Sequence, residues 1–337
     1  MKPIVIAFCS RSFARRSLLQ CLNRSPRWNP SRNVGHFVID QKTKKSKLDW
    51  GYCLGNGPAT WSRDFPAADG DKQSPVDILE SDPDKGRIVK KEGLPGLTWT
   101  YSPVATPLVM NTGQGWRLLT SGLRRGKPAG VVSGGPLSGE YQLEQIHMHW
   151  GSTANEGSEH TIDSEPYCGE VHLVHYNAQK YTTFDEAVDK PYGLAVLGVL
   201  LKVDNSYFHP ELQKVAEAVD TIMYRGMKTD LFRPVDPERM IPGGPYWSYE
   251  GSLTQPPCFE SVHWIVFKEH QLVHPEQLEA FRRLRMYAHD EPVPDNEFGG
   301  KVLANWRPTC PLGERTILNC GCSAERQPRT MASTGRK

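Results

Sequence analysis

No two cysteines of this 337-residue chain form a CxxC pair, and its eight thiols (Cys9, Cys21, Cys53, Cys168, Cys258, Cys310, Cys320, Cys322) follow no regular framework. A cysteine-built scaffold is therefore not expected. In a chain able to bury a large core, scattered thiols point instead to a reducing compartment. Long apolar runs are also missing. The longest, Leu194 to Leu201, is far too short to span a bilayer, so no membrane span is expected. Between residues 48 and 312 there is no low-complexity linker and no internal repeat, which reads as one domain. Acidic residues are absent from the first 30 positions, which are rich in Arg and Ser. That composition suits a mitochondrial transit peptide, the other reading being a disordered basic tail.

What is present is unevenly charged. Residues 1–47 hold eleven Lys/Arg and one acid, Asp40, while residues 313–337 hold five basic and two acidic residues. The formal net charge of +2 therefore conceals a body of about −11 between 48 and 312, with 24 basic and 35 acidic residues. A body this acidic argues against a nucleic-acid partner or an anionic membrane surface. The expected division is a basic extension (1–47), one domain (48–312) and a polar, disordered tail (313–337). The expected location is intracellular: mitochondrial if 1–47 is a transit peptide, otherwise cytoplasmic.

Thirty glycines and 27 prolines favour turns over long helices. Short strand-like runs dominate, among them "GLTWTYS", "GWRLLTS", "YQLEQIHMHW", "EVHLVHYN", "GLAVLGVLLKV" and "SVHWIVFKE". Two segments read as helices: "PELQKVAEAVDTIMYRG", with Leu212, Val215, Val219 and Ile222 on one face and a glycine at its end, and "HPEQLEAFRRLRMY", with Pro275 in its first turn. The expected fold is α+β, mainly β: a large, mostly antiparallel twisted sheet with short peripheral helices.

Within "QIHMHWG" (145–151) the two-residue period of a strand sends Gln145, His147 and His149 to one face. Ile146, Met148 and Trp150 go to the other and are committed to a core. One HxH pair is weak evidence of a metal. A second strand, "GEVHLVHYN" (169–177), strengthens it by placing Glu170, His172, Val174 and Tyr176 on one face. If the two strands pair, His172 meets His147 and His149. Three neutral imidazoles without a fourth protein ligand describe a catalytic zinc site with one open position. Gln145 and Glu170, each one pleat before a histidine, are placed to hold the outward ring nitrogens.

Together with further stretches these residues become specific. The chain resembles the alpha-class carbonic anhydrases from about Trp50 to Pro311. The motifs are "WGY" (50–52), "DFPAADGDKQSPVDI" (64–78), "GGPLSGEYQLEQIHMHWGS" (134–152), "GSEHT" (157–161), "EVHLVHYN" (170–177), "GLAVLGVLLKV" (193–203), "YWSYEGSLTQPPCFESVHWIV" (246–266) and "NWRPTCPL" (305–312). The resemblance implies reversible hydration of carbon dioxide to bicarbonate and a proton at one Zn2+ per chain, held by His147, His149 and His172. It implies that Thr254 is a gate-keeping hydroxyl that donates to Glu159. It places Thr254 and Gln255 where substrate and inhibitors bind, and Val174, Val196, Leu253 and Trp264 in an apolar wall for the gas. Sulfonamides and anions are expected inhibitors. The alternative is a related binding protein with weak or no turnover, although such relatives typically lose a ligand histidine and none is lost here.

The chain departs from the family's pattern in three places. Fast members carry a shuttle histidine where this sequence has Gln114, and an amide cannot take up and release a proton near neutrality. A group of pKa about 7 that hands its proton to water turns over at only about 10^3 s⁻¹, because the return runs at the diffusion limit of roughly 10^10 M⁻¹s⁻¹. Proton release is therefore expected to limit turnover. Arg117 stands where many relatives have a smaller polar residue, at the cavity mouth. Secreted members often bridge a cysteine in the position of Cys258 to one before the QSP motif. That stretch has no cysteine here, so a free thiol is expected.

Overall fold

The structure, a computed structural model, describes residues 50–102, 108–120 and 128–326. The expectations for residues 1–47, and for the tail beyond residue 326, lie outside them. The strands in chain order are β1 (Asp77–Ile78), β2 (Ile88–Lys91), β3 (Thr98–Tyr101), β4 (Leu108–Asn111), β5 (Trp116–Leu119), β6 (Gly130–Ser133), β7 (Tyr141–Trp150) and β8 (Thr161–Ile162). They continue with β9 (Gly169–Asn177), β10 (Leu194–Val203), β11 (Lys228–Asp230), β12 (Gly244–Gly251), β13 (Val262–Phe267), β14 (Gln271–Val273) and β15 (Ile317–Arg326). All but β1 and β8 belong to one large sheet. Its parallel pairings are confined to β10 with β13 and β14, and to β15 with β2 and β3. The rest are antiparallel, as expected.

Strand β7 lies at the centre. β9 runs along one side of it, while β5 and β6 share the other side along its two halves. Beyond β9 come β10, β13, β12 and β15 in turn. Alternation along these strands divides the apolar residues between two cores. Behind the sheet, Ile146, Met148, Trp150, Leu173, Leu197 and Ile265 pack with Leu212, Val215 and Phe281 of the helices. In front, Val174, Val196, Trp264, Val266, Trp247 and Leu253 form a smaller cluster. The sheet is thus buried on both faces over its middle, which explains near-continuous apolar runs such as "LAVLGVLL".

Among the described residues three short α-helices sit at the periphery: α1 (Phe184–Ala187), α2 (Pro210–Ala218) and α3 (Pro275–Arg282). Each of the two predicted helices starts where its sequence signals it. His209 caps α2, accepting from the N–H groups of Glu211 and Leu212, and His274 forms a capping box with Gln277 on α3; proline follows the cap in both. The predicted span 210–226 is shorter as an α-helix than its periodicity suggested. The α-helix ends at Ala218, and a tighter 3-10 turn covers Val219–Ile222.

The expectation of a disordered tail from residue 313 is corrected. Ile317–Arg326 form β15, antiparallel to β12 and parallel to β2. Ile317 and Cys320 are fully buried, and the strand covers an edge of β12 that would otherwise be left unpaired.

Candidate active site

Pairing of β7 with β9 sets His147 opposite His172 and His149 opposite Glu170. Side chains opposite one another in an antiparallel pair share a face, so the register alone gathers the three histidines. Their inner nitrogens, Nε2 of His147, Nε2 of His149 and one nitrogen of His172, all lie within 4.8 Å of one another. The first two are 3.1 Å apart.

Each ring is oriented from behind. His147 Nδ1 is 2.9 Å from Gln145 Oε1, His149 Nδ1 is 2.7 Å from the main-chain oxygen of Asn305, and His172 Nε2 is 2.8 Å from Glu170 Oε1. All three partners are oxygens that can only accept, so each outer nitrogen carries the proton. The lone pairs of His147 Nε2, His149 Nε2 and His172 Nδ1 therefore face inward. Burial keeps the rings neutral. It pushes His147 well below the usual imidazole range, helped by the neighbouring histidines and Arg117, and takes His149 down to about 3. His172 is lowered by the same burial, opposed by Glu170.

Glu170 anchors a wider network. Burial favours its neutral form, but His160 and His172 outweigh that and hold the carboxyl well below its usual range. Its Oε1 accepts from His160 Nδ1 at 2.7 Å as well as from His172, and its Oε2 accepts the N–H groups of Glu159 and His160. Gly198, opposite His172 on β10, leaves the space this carboxylate needs: a Cβ there would sit 2.9 Å from Glu170 Oε1. His160 Nε2 is in turn hydrogen-bonded to the Tyr249 hydroxyl at 2.7 Å, which donates to Ser74 Oγ.

Glu159 is buried beside the triad. Its Oε1 accepts the Arg307 N–H at 3.0 Å, while Oε2 lies 3.3 Å from His149 Nε2 and 3.8 Å from His172 Nδ1 without a well-formed hydrogen bond. Burial raises Glu159 well above the usual carboxyl range, and the Thr254 side chain opposes this as a hydrogen-bond partner. Three inward lone pairs thus converge, with the Glu159 carboxyl beside them. That is a donor set suited to a cation, and among the described residues no fourth side chain joins the three histidines.

Residues 56–320 match the family model of the eukaryotic-type carbonic anhydrases. The chain is also 40% identical over 274 residues to carbonic anhydrase 1 of Mus musculus, covering 81% of this chain and 98% of that protein. The chain belongs to the eukaryotic-type carbonic anhydrases. Its activity is that of a carbonate dehydratase, the reversible hydration of carbon dioxide.

Of the other sequence-derived positions of this carbonic anhydrase, Trp264, Gln255, Gln114 and Arg117 lie beside the triad. Val174, Val196, Leu253 and Trp264 fall in one apolar cluster, with the Trp264 ring 4.9 Å from that of His172. Gln255 borders the site and donates to the Tyr52 hydroxyl at 3.0 Å. Gln114 lines the same recess as His147, Arg117 and Gln255, with its amide donating to the Trp50 carbonyl at 3.2 Å. Cys258 is a buried free thiol. Sequence reasoning missed Asn305, which accepts from His149 with its main chain and from the Trp150 N–H with its side chain. It also missed Arg307, whose guanidinium is held by Gln73 and the carbonyls of Ser74 and Ala68. The Tyr249–Ser74 arm behind His160 was missed as well. The "NWRP" stretch was a signal for the first two, but nothing in their residue types assigned the roles.

Proposed function

We propose that His147, His149 and His172 hold one zinc ion with a position open to solvent, and that carbon dioxide is hydrated there with Thr254 and Glu159 as positioning groups. The observation that carries this is the convergence of three neutral imidazole nitrogens, each ring oriented by its own hydrogen bond. When bound, zinc would bring water into its reactive, deprotonated form at neutral pH, behaviour for which carbonic anhydrases are themselves the reference case.

The remaining work belongs to the chain. Arg307 N–H holds Glu159 from one side, leaving its other oxygen to accept the Thr254 proton. With its proton so committed, the Thr254 oxygen can only accept, and it selects one orientation for a donor beside the triad. Val174, Val196, Leu253 and Trp264 offer a neutral gas a dry surface next to that donor. A sulfonamide anion would occupy the same corner, between the triad and the Thr254–Gln255 segment. The amide of Gln114 binds Trp50 and offers no titrating group, so proton release limits turnover in weak buffer unless another residue of the chain carries the proton.

The test is zinc content per chain together with carbon dioxide hydration, with and without a sulfonamide and across imidazole concentrations. The expected result is one zinc per chain, and hydration that rises with imidazole and is abolished by the sulfonamide. One zinc with no hydration at any buffer concentration would overturn the reading in favour of a silent relative.

A further inference from the structure

Strand β7 contains a bulge. Opposite β9, Leu143 pairs with His175 and the next pair is Gln145 with Val174, so Glu144 has no partner. The bulge reverses the alternation along the strand. Tyr141 and Leu143, odd-numbered like the histidines, nevertheless pack in the rear core with Ile146 and Met148. Glu144 is re-aimed toward the front, and Thr120 Oγ1 fixes the kink by donating to the Glu144 carbonyl at 3.0 Å.

Three groups from three other elements lie within electrostatic reach of the Glu144 carboxyl: Arg117 of β5, Tyr176 of β9 and Asp185 of α1. Arg117 stands directly opposite His147 in the β5–β7 ladder and lines the recess that holds His147, Gln114 and Gln255. Tyr176 shares the front face of β9 with His172 and Val174. Asp185 is exposed at the surface. Glu144, itself half-buried, thus lies between the wall of the histidine site and solvent.

We propose that Glu144 takes up the proton released by hydration and hands it to solvent past Asp185, the task that Gln114 does not perform. The step is balanced: water and carbon dioxide give bicarbonate and a proton, a Glu144 carboxylate oxygen binds that proton through intervening water, and a buffer base removes it. The chemistry of the group fits. Burial and the Asp185 charge, opposed by Arg117, push the carboxyl up to about 7, where it can both accept and release.

This inference rests on the hydration reading, and its test separates the two. Hydration by the unaltered enzyme at saturating imidazole checks that reading alone. For the relay, Glu144→Gln and Glu144→His are compared with the parent in weak buffer, and the Glu144 carboxyl is titrated by 13C NMR. In weak buffer Glu144→Gln should lower kcat at least fivefold while kcat/KM changes less than twofold. Imidazole should restore it, Glu144→His should keep it, and the carboxyl should titrate near neutrality. An unchanged kcat in Glu144→Gln, an equal loss of kcat and kcat/KM in both variants, or a carboxyl midpoint in the ordinary glutamate range would each overturn it.

Discussion

Two histidine clusters share His172, and only one of them is suited to a metal. His147, His149 and His172 form the first; His160, Glu170 and His172 form the second. Both are buried, and both bring three donor atoms within 4.8 Å of one another. The difference lies in what is left over. In the second, both nitrogens of His160 are engaged, by Glu170 and Tyr249, and Glu170 is saturated by four N–H groups. In the first, every ring is satisfied from behind and keeps a lone pair in front. A metal site is marked here by unspent lone pairs, and proximity of ligand-type side chains alone does not make one. The two clusters are also stacked in series, since Glu170 and His160 together hold His172 in place.

The sharpest way to break this comparison is to remove a histidine from the first cluster. His147→Ala is expected to lose stoichiometric zinc and about 10^3-fold or more in kcat/KM, measured by metal analysis and stopped-flow hydration. Thr254→Ala should keep the zinc and lose roughly 10^2-fold in kcat/KM, because a misoriented reactant costs about that much. A change in zinc content in this variant would mean that Thr254 supports the metal itself. Glu170→Gln, which touches both clusters, should weaken zinc affinity about 10- to 100-fold in a competition titration with a chelator. The smallest effect on the site is expected from His160→Ala in the second cluster. It should retain one zinc per chain while losing about 1–3 kcal/mol of stability through the buried partners it leaves unpaired, as read by denaturant unfolding.

The comparison also shows where the sequence was legible. The first cluster could be read because it follows from period two on two strands: His147 and His149 are one pleat apart, and His172 requires only that the strands pair. Gln145 and Glu170 followed from the same pleat. The helices were legible from the apolar spacing Leu212, Val215, Val219, Ile222 and from Pro275 in a first turn, whereas the histidine caps were not, because histidine is not among the preferred capping residues. What stayed hidden depends on tertiary closure. His149 is held by a main-chain carbonyl at Asn305, and any residue offers one of those. The Glu144 bulge adds a residue to one strand without a composition signal. β15 was hidden because "ILNC" is short and polar residues surround it, and its strand identity depends on the edge of β12 that it covers.

The most direct test of the central claim is X-ray absorption at the zinc edge of the purified chain. The account predicts one zinc with three imidazole nitrogens at about 2.0–2.1 Å and one further light atom that exchanges with solvent or with a sulfonamide nitrogen. Sulfur scattering at about 2.3 Å, or four non-exchanging protein ligands, would contradict it.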